Sequence, residues 1–382
     1  MADTAARERS GYPVNMATVE LPKTGQRAGR LEAARTVVER GIAERAFPGA
    51  AWGVLHHGEV IELEAAGRFT YEEGAPPVRP ETVFDLASVT KAVATTSAAM
   101  LLMDRGLLEL DSRLGDILPG FVVGMEPGSH KERVTLRMLL AHTSGLPGYV
   151  PFFQHCRTPE ALLRAVLSLK LEAHPGERTE YSDPGFILLG KALEVMSGEP
   201  LDRFCARQIF EPLGMGSARF CPPQIARGAI PPAENDTWFR ERVIQGEVQD
   251  ENAYVMGGVA GHAGLFANVS DLLRFAACVL AQGKTAEGRQ LFQAGTVAQF
   301  ATRQGEGRAL GWDVPTPGGS TGQYFSARAV GHLGFGGTSL WIDPEQELAV
   351  ALLTNRTWPD RANQAIKQIR PLFHDAVVEG LN

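Results

Sequence analysis

Short strand-like segments lie near both ends of this chain, and helical segments fill its middle. Two β-like runs, 49–55 and 60–65, are separated by the turn sequence His-His-Gly-Glu, which predicts a hairpin. Three further runs, 329–334, 338–342 and 348–353, are separated by tight turns near the C-terminus. Strands at both ends with helices between them predict an antiparallel sheet built from both termini and flanked by helices. We therefore expect an α+β fold with a helical insertion domain.

The same pattern predicts how the 382 residues are divided. Residues 1–27 carry Gly, Pro and charge without periodicity, which predicts a mobile N-terminal tail. Residues 28–85 and 300–382 are expected to form one discontinuous α/β sheet domain. Residues 86–299 are expected to form a mainly helical domain, with the active site at the interface. Within it, 221–252 lacks any period and predicts a long surface loop.

Charge and hydropathy exclude several classes of partner. The chain has 37 basic and 44 acidic residues, a net charge of −7, and no Lys/Arg tract, so neither nucleic acid nor an anionic membrane is an expected partner. No apolar run is long enough to cross a bilayer. Residues 1–25 lack the apolar core of a signal peptide, which predicts a cytoplasmic protein.

Cysteine and histidine spacing gives no sign of a disulfide framework or a metal site. The four cysteines show no CxxC spacing, and we expect buried thiols at Cys156, Cys205, Cys221 and Cys278. No HxH or HExxH pair occurs, and no GxGxxG follows a strand, so we expect neither a metal nor an organic cofactor.

The sequence Ser88-Val-Thr-Lys91 is the only SxxK in the chain. A spacing of three on a helix puts both side chains on one face, one turn apart. A serine becomes a nucleophile when a nearby base takes its proton, and a lysine in apolar surroundings can act as that base. Taken alone, the pair also fits a helix-capping serine followed by an ordinary helical lysine.

Two further segments have unusual composition. In 176–185, Tyr181 precedes an Asp-Pro helix start, where Asp183 is expected to be the N-cap. In 331–337, four glycines surround His332, and glycine inside a strand often marks the close approach of a ligand.

Two other motifs are decoys. The segment 185–192 resembles a phosphate-binding loop, but Ala192 replaces the Ser/Thr that would hold magnesium, and the interior is an apolar helix. The segment 318–322 matches GxSxG but lies in a Pro/Gly-rich loop with no helix after it, which indicates a flexible turn.

The SxxK, Tyr and glycine-rich segments occur in the order found in the serine β-lactamase and penicillin-binding protein superfamily, which this chain resembles over about residues 30 to 380. The class C-like branch that includes the family VIII carboxylesterases is the most similar. The segments 136–146, 257–266 and 334–344 also look like this branch. The resemblance implies a β-lactamase/transpeptidase-like fold.

The resemblance also assigns roles. It implies that Ser88 is the acylated nucleophile and that Lys91 and Tyr181 transfer protons, the pKa of the tyrosine being lowered by the ammonium beside it. The backbone N–H groups of Ser88 and Phe335 would form the oxyanion hole.

Substrate binding would fall to Asp183, His332 and Gly334. His262, in the glycine-rich segment 257–264, is expected to be structural.

Two departures from the family pattern bear on the substrate. Asp183 replaces the usual Asn, and a carboxylate cannot donate a hydrogen bond. His332-Leu333-Gly334 replaces Lys-Thr-Gly and supplies no fixed charge at neutral pH. Both changes weaken recognition of a substrate carboxylate, and Phe335 suggests an apolar acyl pocket.

We therefore expect a serine hydrolase that cleaves small carboxylic esters through a Ser88 acyl-enzyme. One alternative is an amide hydrolase, meaning a D-amino-acid peptidase, an amidase or a weak β-lactamase. Another is a non-catalytic protein that binds peptidoglycan-like ligands or a protein partner. The sequence predicts no oligomeric state.

Overall fold

A computed structural model describes residues 31–382, and the tail predicted for 1–27 lies outside the described residues. Its main sheet has five antiparallel strands in the order β2-β1-β10-β9-β8. The strands are β1 (Gly49–His56), β2 (Glu59–Gly67), β8 (Val330–Leu333), β9 (Ser339–Asp343) and β10 (Leu348–Thr354).

The prediction that both termini build one sheet is confirmed. Strand β1 pairs with β10 from Ala50–Thr354 to His56–Leu348, so the second strand-rich segment closes directly against the first. The predicted hairpin between β9 and β10 is also present. The fold is the expected α+β arrangement.

The alternation of side chains along β1 gives the sheet two apolar faces. Ala50, Trp52 and Val54 pack with α1 (Glu32–Ala43) and α11 (Ile366–Leu381) on one face. The residues between them face the larger core, which contains the helical layer. The sheet is therefore buried on both sides.

Apolar periodicity also predicts a final amphipathic helix over about 361–378, but helix α11 begins only at Ile366. Arg361 is held instead by ion pairs with Glu234 and Glu251, and Asn363 caps the backbone N–H of Ala365. These polar contacts keep the segment before Ile366 in turns.

The helical layer packs against the remaining sheet face. A π-helical segment, Lys91–Thr96, leads into its first helix. Its helices are α2 (Ser97–Asp104), α3 (Leu114–Ile117), α4 (Leu136–Leu140), α5 (Pro159–Leu167), α6 (Asp183–Ser197), α7 (Leu201–Cys205), α8 (Glu251–Val255), α9 (Val269–Leu280) and α10 (Ala294–Ala301). The helical spacing of the middle segments is confirmed, and the decoy 185–192 lies inside α6.

The sequence patterns did not predict two small sheets. One joins β3 (Phe84–Asp85), β7 (Leu265–Ala267) and β4 (Arg219–Phe220) in the order β3-β7-β4. It connects the segment before Ser88 to the glycine-rich segment that contains His262. Strands of two or three residues are too short to show an alternating pattern.

The second sheet lies inside the segment 221–252, so the prediction of a long surface loop there was wrong. It pairs β5 (Pro232–Asp236) with β6 (Arg242–Gln245). The hairpin is held by polar groups: the Asp236 carboxylate is buried and accepts from three backbone N–H groups and from the Arg240 guanidinium. Such a hairpin carries no apolar period that a sequence pattern could reveal.

All four cysteines are unpaired, and three are buried. Cys221 is exposed, so the expectation of a buried thiol was wrong there. No helix within residues 31–382 has the length and apolar character needed to cross a membrane. Within the same residues, no group of three or more His, Cys, Asp or Glu side chains is placed to hold a metal ion.

Candidate active site

The structure places Ser88 in the turn that joins β3 to the Lys91–Thr96 segment. Backbone bonds from Val89 to Leu86 and from Lys91 to Ser88 tighten this turn. Lys91 Nζ lies 2.9 Å from Ser88 Oγ and donates a hydrogen bond to it. The SxxK pair therefore meets as its helical spacing predicts.

The Lys91 ammonium is completely buried at the centre of the site. It lies 2.7 Å from Asp183 Oδ1 and donates to the carbonyl of His262 at 3.1 Å. Burial disfavours the charged lysine, but Asp183 and Tyr181 outweigh burial and raise its pKa. Lys91 is therefore an ammonium in the free enzyme.

Tyr181 stands beside the same pair. Lys91 Nζ lies 4.8 Å from the centre of its ring, and the phenol interacts with the side chains of both Lys91 and Ser88. Burial raises the pKa of Tyr181, Lys91 lowers it and Asp183 raises it again, with a net increase. The expectation of a lowered tyrosine pKa was wrong, because burial, together with the Asp183 carboxylate, outweighs the effect of the ammonium.

His142 holds Tyr181 in place, a contact that the sequence analysis missed. Its ring packs 4.7 Å from the Tyr181 ring and 5.0 Å from the Phe186 ring. Its Nδ1 accepts from the backbone N–H of Ser182, and its carbonyl accepts from that of Glu180. Burial and nearby cations lower the pKa of His142 far below its usual range, so the ring is neutral. The segment 136–146 was recognised as family-like, but no spacing rule linked it to Tyr181.

Asp183 is not the N-cap of α6. Ser182 is the N-cap, and its hydroxyl accepts from the backbone N–H of Gly185 at 3.0 Å. The Asp183 carboxylate is therefore free to pair with Lys91. Both Ser and Asp are good caps, and only the direction of the side chain decided between them.

His332 and Gly334 lie on the edge strand β8 and just after it. The His332 ring is buried, 6.0 Å from the Tyr181 ring, and Nδ1 contacts the carbonyl of Leu333 at 2.8 Å. Burial, with Lys91 and Arg308, lowers the pKa of His332 far below its usual range. The histidine therefore carries no charge at neutral pH, as its residue type led us to expect.

Gly334 is required by the protein itself. A Cβ at this position would overlap the Thr338 hydroxyl and the carbonyl of Leu86. The Thr338 hydroxyl donates to that carbonyl at 3.0 Å and so ties the Ser88 turn to the sheet. The close approach that the glycine indicated is made by the chain, two residues before Ser88.

Within residues 31–382, neither the backbone N–H of Ser88 nor that of Phe335 donates a hydrogen bond to another group of the chain. The Phe335 ring is half exposed, and the guanidinium of Arg356 lies 4.4 Å from its centre. The ring therefore has a cation against it and a half-exposed surface, and the apolar acyl pocket stays a prediction.

Arg308 is a second group that the sequence analysis missed. Its guanidinium lies 4.8 Å from the centre of the Tyr181 ring and pairs with Asp313. It also lines a cavity of about 320 Å³ together with Leu333, the neighbour of His332. The site therefore contains a fixed positive charge. It was not expected, because His332 in place of the family's lysine supplies none. No motif surrounds Arg308 that could have singled it out.

The side chain of His262, whose carbonyl accepts a hydrogen bond from Lys91, forms a buried pair with a carboxylate. His262 Nε2 lies 2.8 Å from Asp250 Oδ1. Burial raises the pKa of Asp250, but His262 and the backbone N–H of Ala253 outweigh it and hold the value at about 2. This contact fixes the segment that carries the His262 carbonyl.

Comparison with known proteins identifies relatives along nearly the whole chain. Residues 34–371 match the profile of the family described as Beta-lactamase. The "N-acetylmuramyl-L-alanine amidase" of Bacillus subtilis (strain 168) is 32% identical over 360 residues, which cover 84% of this chain and 79% of that protein. The "Putative D-alanyl-D-alanine carboxypeptidase" of Escherichia coli (strain K12) is 32% identical over 344 residues, covering 81% of this chain and 79% of that protein.

Solved structures share the fold at lower identity. The structure titled "EstCE1, a hydrolase with promiscuous acyltransferase activity" superposes with a TM-score of 0.73 at 24% identity and covers 91% of this chain and 98% of that one. A penicillin-binding protein homologue from Caulobacter crescentus gives a TM-score of 0.72 at 21% identity, covering 94% of this chain and 99% of that one. At these identities the similarity concerns the fold alone.

Proposed function

This chain belongs to the Beta-lactamase family and is a serine hydrolase, and on that premise we propose that Ser88 attacks small carboxylic esters to form an acyl-enzyme. The observation that supports this proposal is that Lys91 contacts both Ser88 and Asp183. Its ammonium donates to Ser88 Oγ at 2.9 Å while it lies 2.7 Å from the Asp183 carboxylate.

In our proposal, Lys91 and Asp183 act together as the base. The raised pKa of Lys91 means that its nitrogen has no free lone pair at rest. As Ser88 attacks the carbonyl carbon, its proton moves to Lys91, and a Lys91 proton moves to the Asp183 oxygen. Proton number and charge balance, because Lys91 gains one proton and gives one up and so stays an ammonium, Asp183 becomes a neutral acid, and the negative charge moves to the tetrahedral oxyanion.

Tyr181 has the role of the acid. Its pKa is raised, so the phenol keeps its proton until the tetrahedral intermediate collapses. It then protonates the leaving alkoxide and regains a proton from Lys91, which in turn takes back the proton held by Asp183, so the ion pair is restored. Water attacks the acyl-enzyme by the reverse route.

The unpaired N–H groups of Ser88 and Phe335 would stabilise the oxyanion. Removing one such donor typically costs about 100- to 1,000-fold in kcat.

An ester substrate fits the polar groups around Ser88. The Asp183 carboxylate is occupied by Lys91 and has no proton to donate to a substrate amide. The half-exposed ring of Phe335, in the segment just after β8 that carries the second proposed oxyanion donor, offers apolar contact to an acyl or alcohol group. The cytoplasmic location stays a prediction from the sequence.

Amide hydrolysis is the second candidate, and Arg308 is the observation that favours it. Its guanidinium beside Tyr181 could bind the carboxylate of an acylated amino acid, a role that His332 does not provide. The two relatives at 32% identity bear the names of an amidase and a carboxypeptidase.

Intact-protein mass spectrometry after fluorophosphonate treatment tests the nucleophile. We expect one adduct on the wild type and none on S88A. A burst of p-nitrophenol from p-nitrophenyl acetate would show the acyl-enzyme. An S88A protein that is still labelled would refute the proposal. Comparing the p-nitrophenyl ester with the p-nitroanilide of one acyl group, acetyl or D-alanyl, then decides between the two candidates.

A further inference from the structure

The residue just before Ser88 has an unfavourable backbone conformation. Ala87 has φ +48°, in the left-handed region that a residue with a Cβ rarely occupies. Strain of this kind persists only where surrounding contacts hold it. Because Ala87 and Ser88 share a peptide unit, the torsions of Ala87 set where the Ser88 N–H and side chain point.

Asp85 makes the contact that holds Ala87. Its Oδ1 accepts from the backbone N–H of Ala87 at 2.8 Å. Its Oδ2 accepts from the backbone N–H of Gln249 at 2.8 Å, in a segment 164 residues away. A single carboxylate therefore fixes the turn before Ser88 and ties it to the segment that leads into Asp250.

We propose that Asp85 is a positioning residue whose carboxylate holds Ala87 in its left-handed conformation and so directs Ser88 toward Lys91. The inference rests on the proposed role of Ser88 as nucleophile. Ionised Asp85 accepts at both oxygens, whereas a protonated carboxyl carries a hydrogen on one of them and cannot accept there in the same way.

The charges around Asp85 make its protonation relevant near neutral pH. Burial raises the pKa of Asp85 to about 6, against the hydrogen bonds from Gln249 and Ala87. The charged groups that face it are Asp250, which raises the pKa, and Arg240, which lowers it. Activity should therefore decrease as the pH falls through about 6 and the two-acceptor form is lost.

Substitution D85N keeps the shape of the side chain but places an NH₂ group against one of the two N–H donors. We expect kcat for p-nitrophenyl acetate to fall about 10- to 100-fold, with KM changed less than about threefold, because the nucleophile is displaced and binding is not. The loss of activity below about pH 6 should disappear in D85N, since no group titrates at position 85.

Substitution A87G provides the second test. Glycine adopts positive φ without penalty, so it needs the carboxylate less. In A87G the decrease in activity at low pH should become shallower, and A87G/D85N should recover part of the activity that D85N loses. A role in stability alone would not produce this rescue. If D85N does not fold, the pH profile of A87G still decides, and an unchanged profile refutes the proposal.

The matched control is D343N. The Asp343 carboxylate likewise accepts backbone N–H groups, from Ser326 at 2.7 Å and Glu345 at 3.0 Å, at the other end of β9 from the site. This variant should keep the wild-type pH profile.

Fluorophosphonate labelling separates the hypothesis that Ser88 is the nucleophile from the hypothesis that Asp85 positions it. Labelling of S88A refutes the nucleophile, whereas unlabelled S88A with D85N labelled at the wild-type rate refutes only the role of Asp85.

Discussion

Lys91 and Asp183 form a buried ion pair, with Nζ 2.7 Å from Oδ1, directly behind the Ser88 hydroxyl. Burial by itself lowers the pKa of this ammonium, whereas the carboxylate raises it, and the net change is an increase. The site therefore begins its reaction with both Lys91 and Tyr181 protonated. This charge arrangement underlies the first prediction.

Substitution D183N should remove the proton acceptor and leave the shape of the site intact. Because the amide cannot take the Lys91 proton, we expect kcat for p-nitrophenyl acetate to fall about 100- to 10,000-fold. The Lys91 pKa should fall as well, since a raising charge is lost. Steady-state kinetics across the pH range measures both effects. Wild-type activity in D183N would show that Asp183 is not part of the base.

Substitution R308Q should separate anionic from neutral substrates. A depsipeptide ester that ends in a free carboxylate and its methyl ester form the matched pair. We expect KM for the carboxylate form to rise about 10- to 100-fold, the value of a charge-assisted hydrogen bond, and KM for the methyl ester to change little. R137Q, which breaks an exposed pair with Asp111, is the control. Equal effects on both esters would exclude carboxylate binding by Arg308.

Substitution F335A should affect the acyl group and leave the chemistry unchanged. Truncation removes the half-exposed ring and keeps the backbone N–H. We expect kcat/KM for p-nitrophenyl acetate to stay within about threefold, and that for the octanoate ester to fall about tenfold through lost apolar contact. L372A removes an exposed leucine on α11 as a control. A large loss with the acetate ester would mean that the ring positions the oxyanion hole.

Substitution H374Q should make the free energy of unfolding depend less steeply on pH below neutrality. His374 is fully buried, and burial lowers its pKa to about 4. The unfolded state binds a proton near its ordinary value of about 6.5, so this residue's contribution to stability is lost as the pH falls from about 6.5 to about 4.

Urea unfolding gives the free energy of unfolding at about pH 4.5 and about pH 7.5. We expect His374 to contribute about 2 to 3 kcal/mol to the difference between these two values in the wild type, and this contribution to be absent in H374Q. His142 and His332 add slopes of the same sign, which remain in the variant. H57Q, at an exposed histidine, should keep the full wild-type slope. A steep slope that survives in H374Q would contradict the assignment.

Much of the fold could be predicted because the main patterns are local. The runs that became β1, β2 and β8 to β10 carry alternating or continuous apolar residues, and a sheet built from both ends is the arrangement that buries them. The family was also predicted and is confirmed by the match over residues 34–371. The hairpin of β5 and β6 was missed because buried polar contacts stabilise it.

The sequence by itself determined the spacing of Ser88 and Lys91, since one helical turn fixes that contact whatever surrounds it. Only the tertiary structure decided the charges. Asp183, which was predicted to cap a helix, pairs with Lys91 instead. Arg308 contacts the Tyr181 ring although it lies 127 residues further along the chain. Electrostatic effects depend on distance and burial in space, and neither is encoded in separation along the chain.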